Sequence, residues 1–340
     1  LGYALLALAP VTSSDSLDYH IGVPIEILNT GLIFNTPEWF HSRLSGSGEG
    51  LNALGLSIGA EQFGSILQFV GLMGVVGLIL DVELPEKLGS RRDSELLTIL
   101  SLLVLSAPLI VFLVSSSKFQ LLPVSMTTLA VSLIFFPSRR NLTSIDSIKS
   151  FFLICILVMV ASQMKINYQL SGGLIGLFAL LQMYQKKIIW QSSIIILLVA
   201  FITIVPVIII KSQIYSADLI EVILSPLPGD LPGLKDFETS IRNAQETKIL
   251  FPFSFILPSS IGTITTIIGF GAFIVLFFRP ENDKWLILLI IFLIFVFILI
   301  LVLGPRSSRS YLEPYFWSLI AVSLQNENRL FFKFRKIIKP

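Results

Sequence analysis

Apolar runs recur along almost the whole chain, near residues 1–12, 62–80, 95–114, 120–136, 150–163, 170–184, 189–210, 261–278, 285–303 and 311–324. A hydrocarbon core about 30 Å thick takes roughly 20 apolar residues of helix to cross, and lipid offers no partner to an unpaired backbone group. Such a chain is expected to fold as an all-α, polytopic transmembrane protein with about ten spans, a single transmembrane domain over residues 1–340. The composition agrees: 54% of residues are apolar and 14% charged, with a mean hydropathy of +0.85, whereas soluble domains carry about 25% charged residues. A soluble enzyme is excluded.

The first run, about half a span long, reads as a truncated first helix; no positively charged segment precedes it, as one would in a signal peptide. Pro123, Pro206 and the Gly172-Gly173 pair are expected to kink or break the helices that hold them. The only cysteine, Cys155, lies in the apolar run 151–160, so an intramolecular disulfide and a cysteine-rich metal site are both excluded.

Sidedness follows from charge. If the first helix leaves the cytoplasm, segments 81–94, 137–149, 185–188, 279–284 and 325–340 share one side and hold 15 of the 24 Lys and Arg residues, leaving nine for the other. Lys and Arg accumulate on cytoplasmic loops, which assigns the long loops 13–61 and 211–260 to the extracytoplasmic face. The net charge of +2 gives no field that would attract nucleic acid. No Asp, Glu, Lys or Arg lies near the middle of a span, which disfavours a proton-coupled transporter.

Chemistry must then reside in the loops. Loop 13–61 contains Ser13-Ser14-Asp15-Ser16-Leu17-Asp18-Tyr19-His20 and Pro37-Glu38-Trp39-Phe40-His41-Ser42-Arg43, and so holds both histidines of the chain. Its segments 24–32 and 51–63 are apolar but interrupted by Glu26, Asn29, Asn52 and Glu61, a pattern suited to helices lying in the interface. Asp15 and Asp18 fall at the membrane boundary, where a carboxylate can serve as a general base; Ser13, Ser14 and Asp15 are equally good helix caps. His20 and His41 could join these carboxylates at a metal, a weak pattern given their unrelated spacing.

On the same side, Lys118, Lys165, Arg306 and Arg309 sit near span ends, where cations bind the phosphate of a membrane-embedded lipid or snorkel to headgroups. Loop 211–260 opens on the turn-forming Ser225-Pro226-Leu227-Pro228-Gly229-Asp230-Leu231-Pro232-Gly233. It continues as a polar helix over 236–248 and returns through Phe251-Pro252-Phe253-Ser254-Phe255, an interfacial anchor or an apolar cavity wall. The phosphate loop G-x-x-x-x-G-K-[ST], the zinc signature H-E-x-x-H and the elbow G-x-S-x-G are all absent from the sequence. Asn141-Leu142-Thr143 matches a glycosylation acceptor but is assigned to the cytoplasm.

A first span followed by Asp15-x-x-Asp18-Tyr19-His20 in a long outer loop with interfacial helices, then many short-looped spans, resembles the GT-C superfamily of membrane glycosyltransferases. The likeness is to the bacterial protein mannosyltransferase and aminoarabinose transferase group, and at motif level it covers residues 15–43, with echoes at Lys118-Phe119-Gln120 and Lys165-Ile166-Asn167-Tyr168. The resemblance implies a multi-pass protein of a bacterial inner membrane. It implies transfer of a sugar from a polyprenyl-phosphate donor to a lipid, glycan or protein acceptor at the extracytoplasmic face, with inversion and no nucleotide.

It also implies that Asp18 or Asp15 is the base. Tyr19, His20, His41, Arg43, Lys118, Lys165, Tyr168 and Arg306 would bind substrate, and the lysines would stabilise the leaving phosphate. The spacing Asp15-Ser16-Leu17-Asp18 departs from the D-x-D common in that family, so a divalent metal is not expected and no cofactor is needed. Two other functions fit the same architecture. A lipid-linked polysaccharide polymerase or ligase would rely on arginine and histidine in the later loop, where Arg242 is the only arginine and there is no histidine. A non-catalytic lipid or sugar transporter would line its spans with polar groups, for which Ser101, Ser106, Thr127, Thr128, Ser162, Thr203, Thr265 and Thr266 are too few.

Overall fold

The computed structural model describes residues 1–31, 43, 45–81, 91–135, 144–165, 167–215, 218, 220, 222, 235, 239, 256, 260–278, 284–303 and 307–325. Among these residues every regular element is helical and none is a strand. Three helices are long and apolar enough to cross a membrane, over Phe63–Leu80, Ser147–Met164 and Ile189–Tyr215; Leu121–Phe135, Thr263–Phe277 and Ile287–Val302 are apolar but shorter.

The chain divides into two compact units, Leu1–Leu72 with Val111–Ile249 and Met73–Ile110 with Leu250–Pro340. The first holds α1 (Gly2–Ala7), a π-helical turn (Ser16–Ile21), α2 (Gly22–Thr30) and α3 (Ser47–Ser57). The start of α4 (Phe63–Asp81) follows. Gly31, at φ 73°, ends α2 in the left-handed region that a glycine enters without strain. The second unit holds α5 (Arg91–Leu105) and begins α6 (Pro108–Val114). The helix bundle of the first unit comprises α7 (Leu121–Phe135), α8 (Ser144–Met164), α9 (Asn167–Gln185) and α10 (Ile189–Tyr215), with α8 packing against α3, α7, α9 and α10. In the second unit α11 (Thr263–Phe277), α12 (Lys284–Leu303), a 3-10 turn (Ser308–Tyr311) and α13 (Leu312–Gln325) complete the order, with α11 packed on α13 and α5.

Several expectations are revised. The apolar run 95–114 is two helices, because the residue before Pro108 is turned out of the helical region and α5 ends at Leu105. Pro206 does not break α10, which continues through it to Tyr215, and α9 runs unbroken past Gly172-Gly173. The continuation of α10 takes Lys211 out of the loop 211–260 and fixes it on a helix. Pro123 falls in the first turn of α7, where its missing N–H costs no helical hydrogen bond. The turn at 225–233, the helix at 236–248, the return at 251–255, the acceptor pattern at 141–143 and the basic C-terminal tail lie outside the described residues.

Candidate functional site: a polar seam beside a cation-headed cavity

The Asp-x-x-Asp-Tyr-His stretch forms the π-helical turn that runs directly into α2. A π turn widens the helix by one residue and is found most often at functional sites. Here it buries Ser16, His20 and Ile21 and leaves Asp18 exposed. Asp15 stands at the cap position, yet its side chain makes no capping bond. Instead its Oδ2 accepts a hydrogen bond from Lys118 Nζ at 2.7 Å. The Lys118 side chain is 3% exposed against 54% for Asp15, so the cation is the buried member of the pair. It also lies 4.9 Å from the centre of the Phe112 ring.

His20 is paired from the neighbouring helix. Its Nδ1 lies 2.8 Å from Glu49 Oε1, while Glu49 Oε2 accepts the Gly46 N–H at 2.7 Å, at the start of α3. Burial alone would raise the Glu49 pKa, but the hydrogen bond and charge of His20 and the Gly46 N–H together lower it below the ordinary value. An ionised carboxylate can only accept, so His20 Nδ1 carries the proton. Burial lowers the His20 pKa; Lys165 and Lys118 add to this, and Glu49 opposes it. The imidazole is thus neutral, with its Nε2 lone pair buried and unpartnered.

From this pair a seam of hydrogen bonds runs across the first unit. Asn52 Nδ2 donates to the carbonyls of His20 and Ser117, at 2.8 and 3.3 Å. Gln68 Oε1 accepts the N–H groups of Gln120 and Leu121, at 3.1 and 2.6 Å. The Tyr168 hydroxyl donates to the Gln120 carbonyl at 3.1 Å. The helix-free stretch 115–120 is therefore held by its own backbone groups, which places Lys118 reproducibly. Lys165, half-buried just before α9, contributes to the charge felt by His20.

A cavity of about 450 Å³ lies among α8, α9 and α10, a volume within the usual range for small-molecule sites. Its walls are apolar, among them Val158, Leu177, Ile204 and Val207, and Gly172, Gly173 and Gly176 form a floor without side chains. Arg43 and Lys211 line the same cavity, as does Gly46. Lys211 Nζ donates to the Arg43 carbonyl at 3.0 Å, and the Arg43 guanidinium lies over the Tyr215 ring at 4.7 Å. Gly46 joins the two features: one face lines the cavity and its N–H holds Glu49.

Of the residues expected to act, the structure brings Asp15, His20, Lys118, Lys165 and Tyr168 into the polar seam and sets Arg43 at the cavity. The Tyr19 ring lies tilted against the His20 ring, 3.9 Å between centroids. The Asp18 carboxylate makes no hydrogen bond or ion pair among the described residues. His41 and Arg306 lie outside those residues, and no group of three or more His, Cys, Asp and Glu that could hold a metal occurs among them. Cys155 is buried in the cavity wall. Sequence reasoning missed Glu49, Gln68 and Lys211, and treated Asn52 only as a break in apolar character. Two signals were present: the spacing Gly46-x-x-Glu49 of a side chain reaching back to a helix start, and amides within otherwise apolar helices.

Fold and site together define an all-helical protein with membrane-length helices and a buried carboxylate–imidazole pair beside a cation-headed apolar cavity. The chain belongs to the family described as the DUF1420 N-terminal domain, which matches residues 1–338. No curated protein and no solved structure matches it.

Proposed function

We propose that the protein is an integral membrane glycosyltransferase of GT-C type, which transfers a sugar from a polyprenyl-phosphate donor to a glycan, lipid or protein acceptor. On this reading the chain crosses a bacterial inner membrane about ten times and works at the extracytoplasmic face. The observation that carries it is the cavity, with an apolar body among α8, α9 and α10 and the cations Arg43 and Lys211 in its lining. An isoprenoid tail fills the apolar part, and its phosphate meets charge-assisted donors at the head. Lys118 and Lys165 stabilise the negative charge that develops as the phosphate leaves.

A second observation bears on topology. Lys211, near the C-terminal end of α10 where the second long loop begins, donates a hydrogen bond to the carbonyl of Arg43 in the first, and the stretch 115–120 and Lys165 gather on the same polar seam. That grouping is what the extracytoplasmic assignment of these segments requires.

The two cations at the head also suit a diphosphate, which favours a lipid-linked polymerase or ligase as the second reading. Transfer in proteoliposomes from radiolabelled polyprenyl-monophosphate and polyprenyl-diphosphate sugars separates them. Transfer from the monophosphate, lost in an Arg43→Ala/Lys211→Ala chain, supports the transferase; transfer from the diphosphate alone supports the polymerase; transfer from neither overturns both.

A further inference from the structure

We propose that His20, rather than Asp15 or Asp18, is the base that takes the proton from the acceptor hydroxyl, with Glu49 as its positioning residue. The assignment rests on the sugar-transfer reading for the identity of the reacting hydroxyl. Its geometry stands independently.

A general base needs a lone pair that nothing in the protein occupies and a partner that fixes its tautomer. His20 Nε2 is buried and has no hydrogen-bond partner, in a residue only 2% exposed. Such an atom normally costs the fold the full loss of its hydration, so it is retained where something binds it. Ser16 Oγ, on the same π turn, is likewise buried without a partner, whereas Asn52 Oδ1 and the Ser117 side chain lie against Gly64. Asn52 fixes the turn, since its amide nitrogen holds the carbonyls of both His20 and Ser117. A ligand hydroxyl is the complement of the free imidazole nitrogen, to which it can give its proton.

The aspartates are less suited. Asp15 is engaged by Lys118, and the Asp18 carboxylate is exposed to solvent on the outer side of the turn. The charged groups that act on His20 are Glu49 from α3, Lys118 from the 115–120 stretch and Lys165 from the segment before α9. Glu49 balances the imidazolium that forms.

In the reaction the acceptor O–H passes its proton to Nε2 as its oxygen bonds the anomeric carbon. The anomeric carbon–oxygen bond to phosphate breaks, and its electron pair departs with the polyprenyl phosphate. The imidazolium then returns its proton to water.

His20→Asn keeps a donor to Glu49 near the position of Nδ1 but offers nothing at Nε2. Its kcat is expected to fall by about 10²- to 10⁴-fold with donor KM unchanged, and the acidic limb of the kcat–pH profile, present in the wild type, is expected to vanish. Glu49→Gln is expected to lower kcat and move that limb, with Glu49→Asp restoring part of the rate. Asp15→Asn and Asp18→Asn are expected to retain the limb. A His20→Asn chain with wild-type kcat and limb, or loss of the limb in an aspartate variant alone, overturns the assignment.

A readout without turnover separates this from failure of the transfer reading. The chain has two histidines, so ¹⁵N spectra of a His41→Asn chain report His20 alone. An unprotonated Nε2 and protonated Nδ1, shifting when a soluble alcohol is added and losing the tautomer preference in Glu49→Gln, support the base even if no polyprenyl donor is used. A protonated Nε2 overturns it.

Discussion

In the second unit α11, α12 and α13 close over Phe270, Phe273, Phe297, Tyr311 and Tyr315, with Phe297 5.0 Å from Phe273 and 6.0 Å from Tyr315 between ring centroids. Phe292 stacks on Trp317 nearby at 5.5 Å, and the void beside Gly269 and Tyr315 is about 10 Å³, too small to hold a water comfortably. The first unit buries His20, Glu49, Asn52, Gln68 and Lys118 and keeps open a cavity of about 450 Å³. Aromatic packing stabilises without demanding partners, whereas each buried polar group must be matched or costs stability. Buried polar atoms without partners occur in both units, Thr265 Oγ1 and Trp317 Nε1 among them in the second, so the difference lies in the His20–Glu49 pair and the open cavity of the first, an arrangement suited to binding and chemistry.

Stability and activity should therefore separate between the units, and the largest effect tests that. Phe297→Ala is expected to cost about 3–5 kcal/mol by opening a void in the aromatic core. The folded protein that remains should transfer sugar at the wild-type rate. Removing the carboxylate in Glu49→Ala leaves His20 Nδ1 and the Gly46 N–H unmatched and costs a similar amount, about 3–5 kcal/mol. In that chain the folded fraction should be inactive as well. Thermal midpoints in detergent, read beside specific activity of the monodisperse fraction, decide the matter; inactive folded Phe297→Ala would erase the distinction.

The cavity head gives the next largest effect. On the proposed function, Arg43→Ala and Lys211→Ala each remove a charge-assisted donor to the phosphate of the sugar donor, worth about 1.5–3 kcal/mol, so the donor KM should rise about 10- to 150-fold. kcat should change far less, because neither residue hydrogen-bonds His20 or Glu49. A fall in kcat with constant KM would move both residues from binding to chemistry.

Two glycines sharpen the comparison further. A Cβ built on Gly176 meets nothing within 4 Å, whereas on Gly269 it runs into the Tyr315 ring. Gly176→Leu should accordingly fill the cavity floor and weaken donor binding about tenfold, leaving the thermal midpoint near that of wild type. Gly269→Ala should do the reverse, losing about 1–3 kcal/mol to overpacking with donor affinity intact. Isothermal titration with a short-chain polyprenyl phosphate against each variant measures the first quantity, and a melting curve the second.

The helices were legible in the sequence because lipid-length apolar runs leave the backbone little choice, and nearly every run became a helix within a few residues. The exceptions have local causes. Ser106-Ala107-Pro108 splits one run, while Pro206 sits in a helix whose neighbours sustain it. The sequence singled out Asp15, His20, Lys118, Lys165 and Tyr168 for catalysis or substrate binding, but not the contacts each of them makes. Asp15 suits a cap by spacing, and only the tertiary approach of Lys118, 103 positions away, turns it into an ion pair. Glu49 and Lys211 were missed because one lies in a glycine-rich stretch and the other at the end of an apolar run. Their roles depend on which helix stands opposite, and periodicity does not carry that.

The smallest expected effect is on stability against pH, and it tests the buried pair without any substrate. His20 is held below its ordinary value of 6.5, so the unfolded chain binds a proton there that the folded chain refuses. Stability then rises with pH wherever the unfolded state holds more protons; this contribution is complete above about 6.5 and is lost as pH falls from there toward the lowered folded value. Glu49, lowered from 4.5, acts in the same direction in a second window that opens below that value. The first unit should thus weaken in two steps on acidification, while the second, which holds no histidine, has no upper step. His20→Asn should abolish the upper step and Glu49→Gln the lower one, with the wild-type midpoint at neutral pH as reference. Hydrogen exchange resolved by peptide distinguishes the units, since the step should appear in residues 16–21 and 47–57 and not in 263–277 or 312–325. Equal acid weakening in both regions would mean that the pair contributes no local stability, and the imidazole would then be protonated in the folded state.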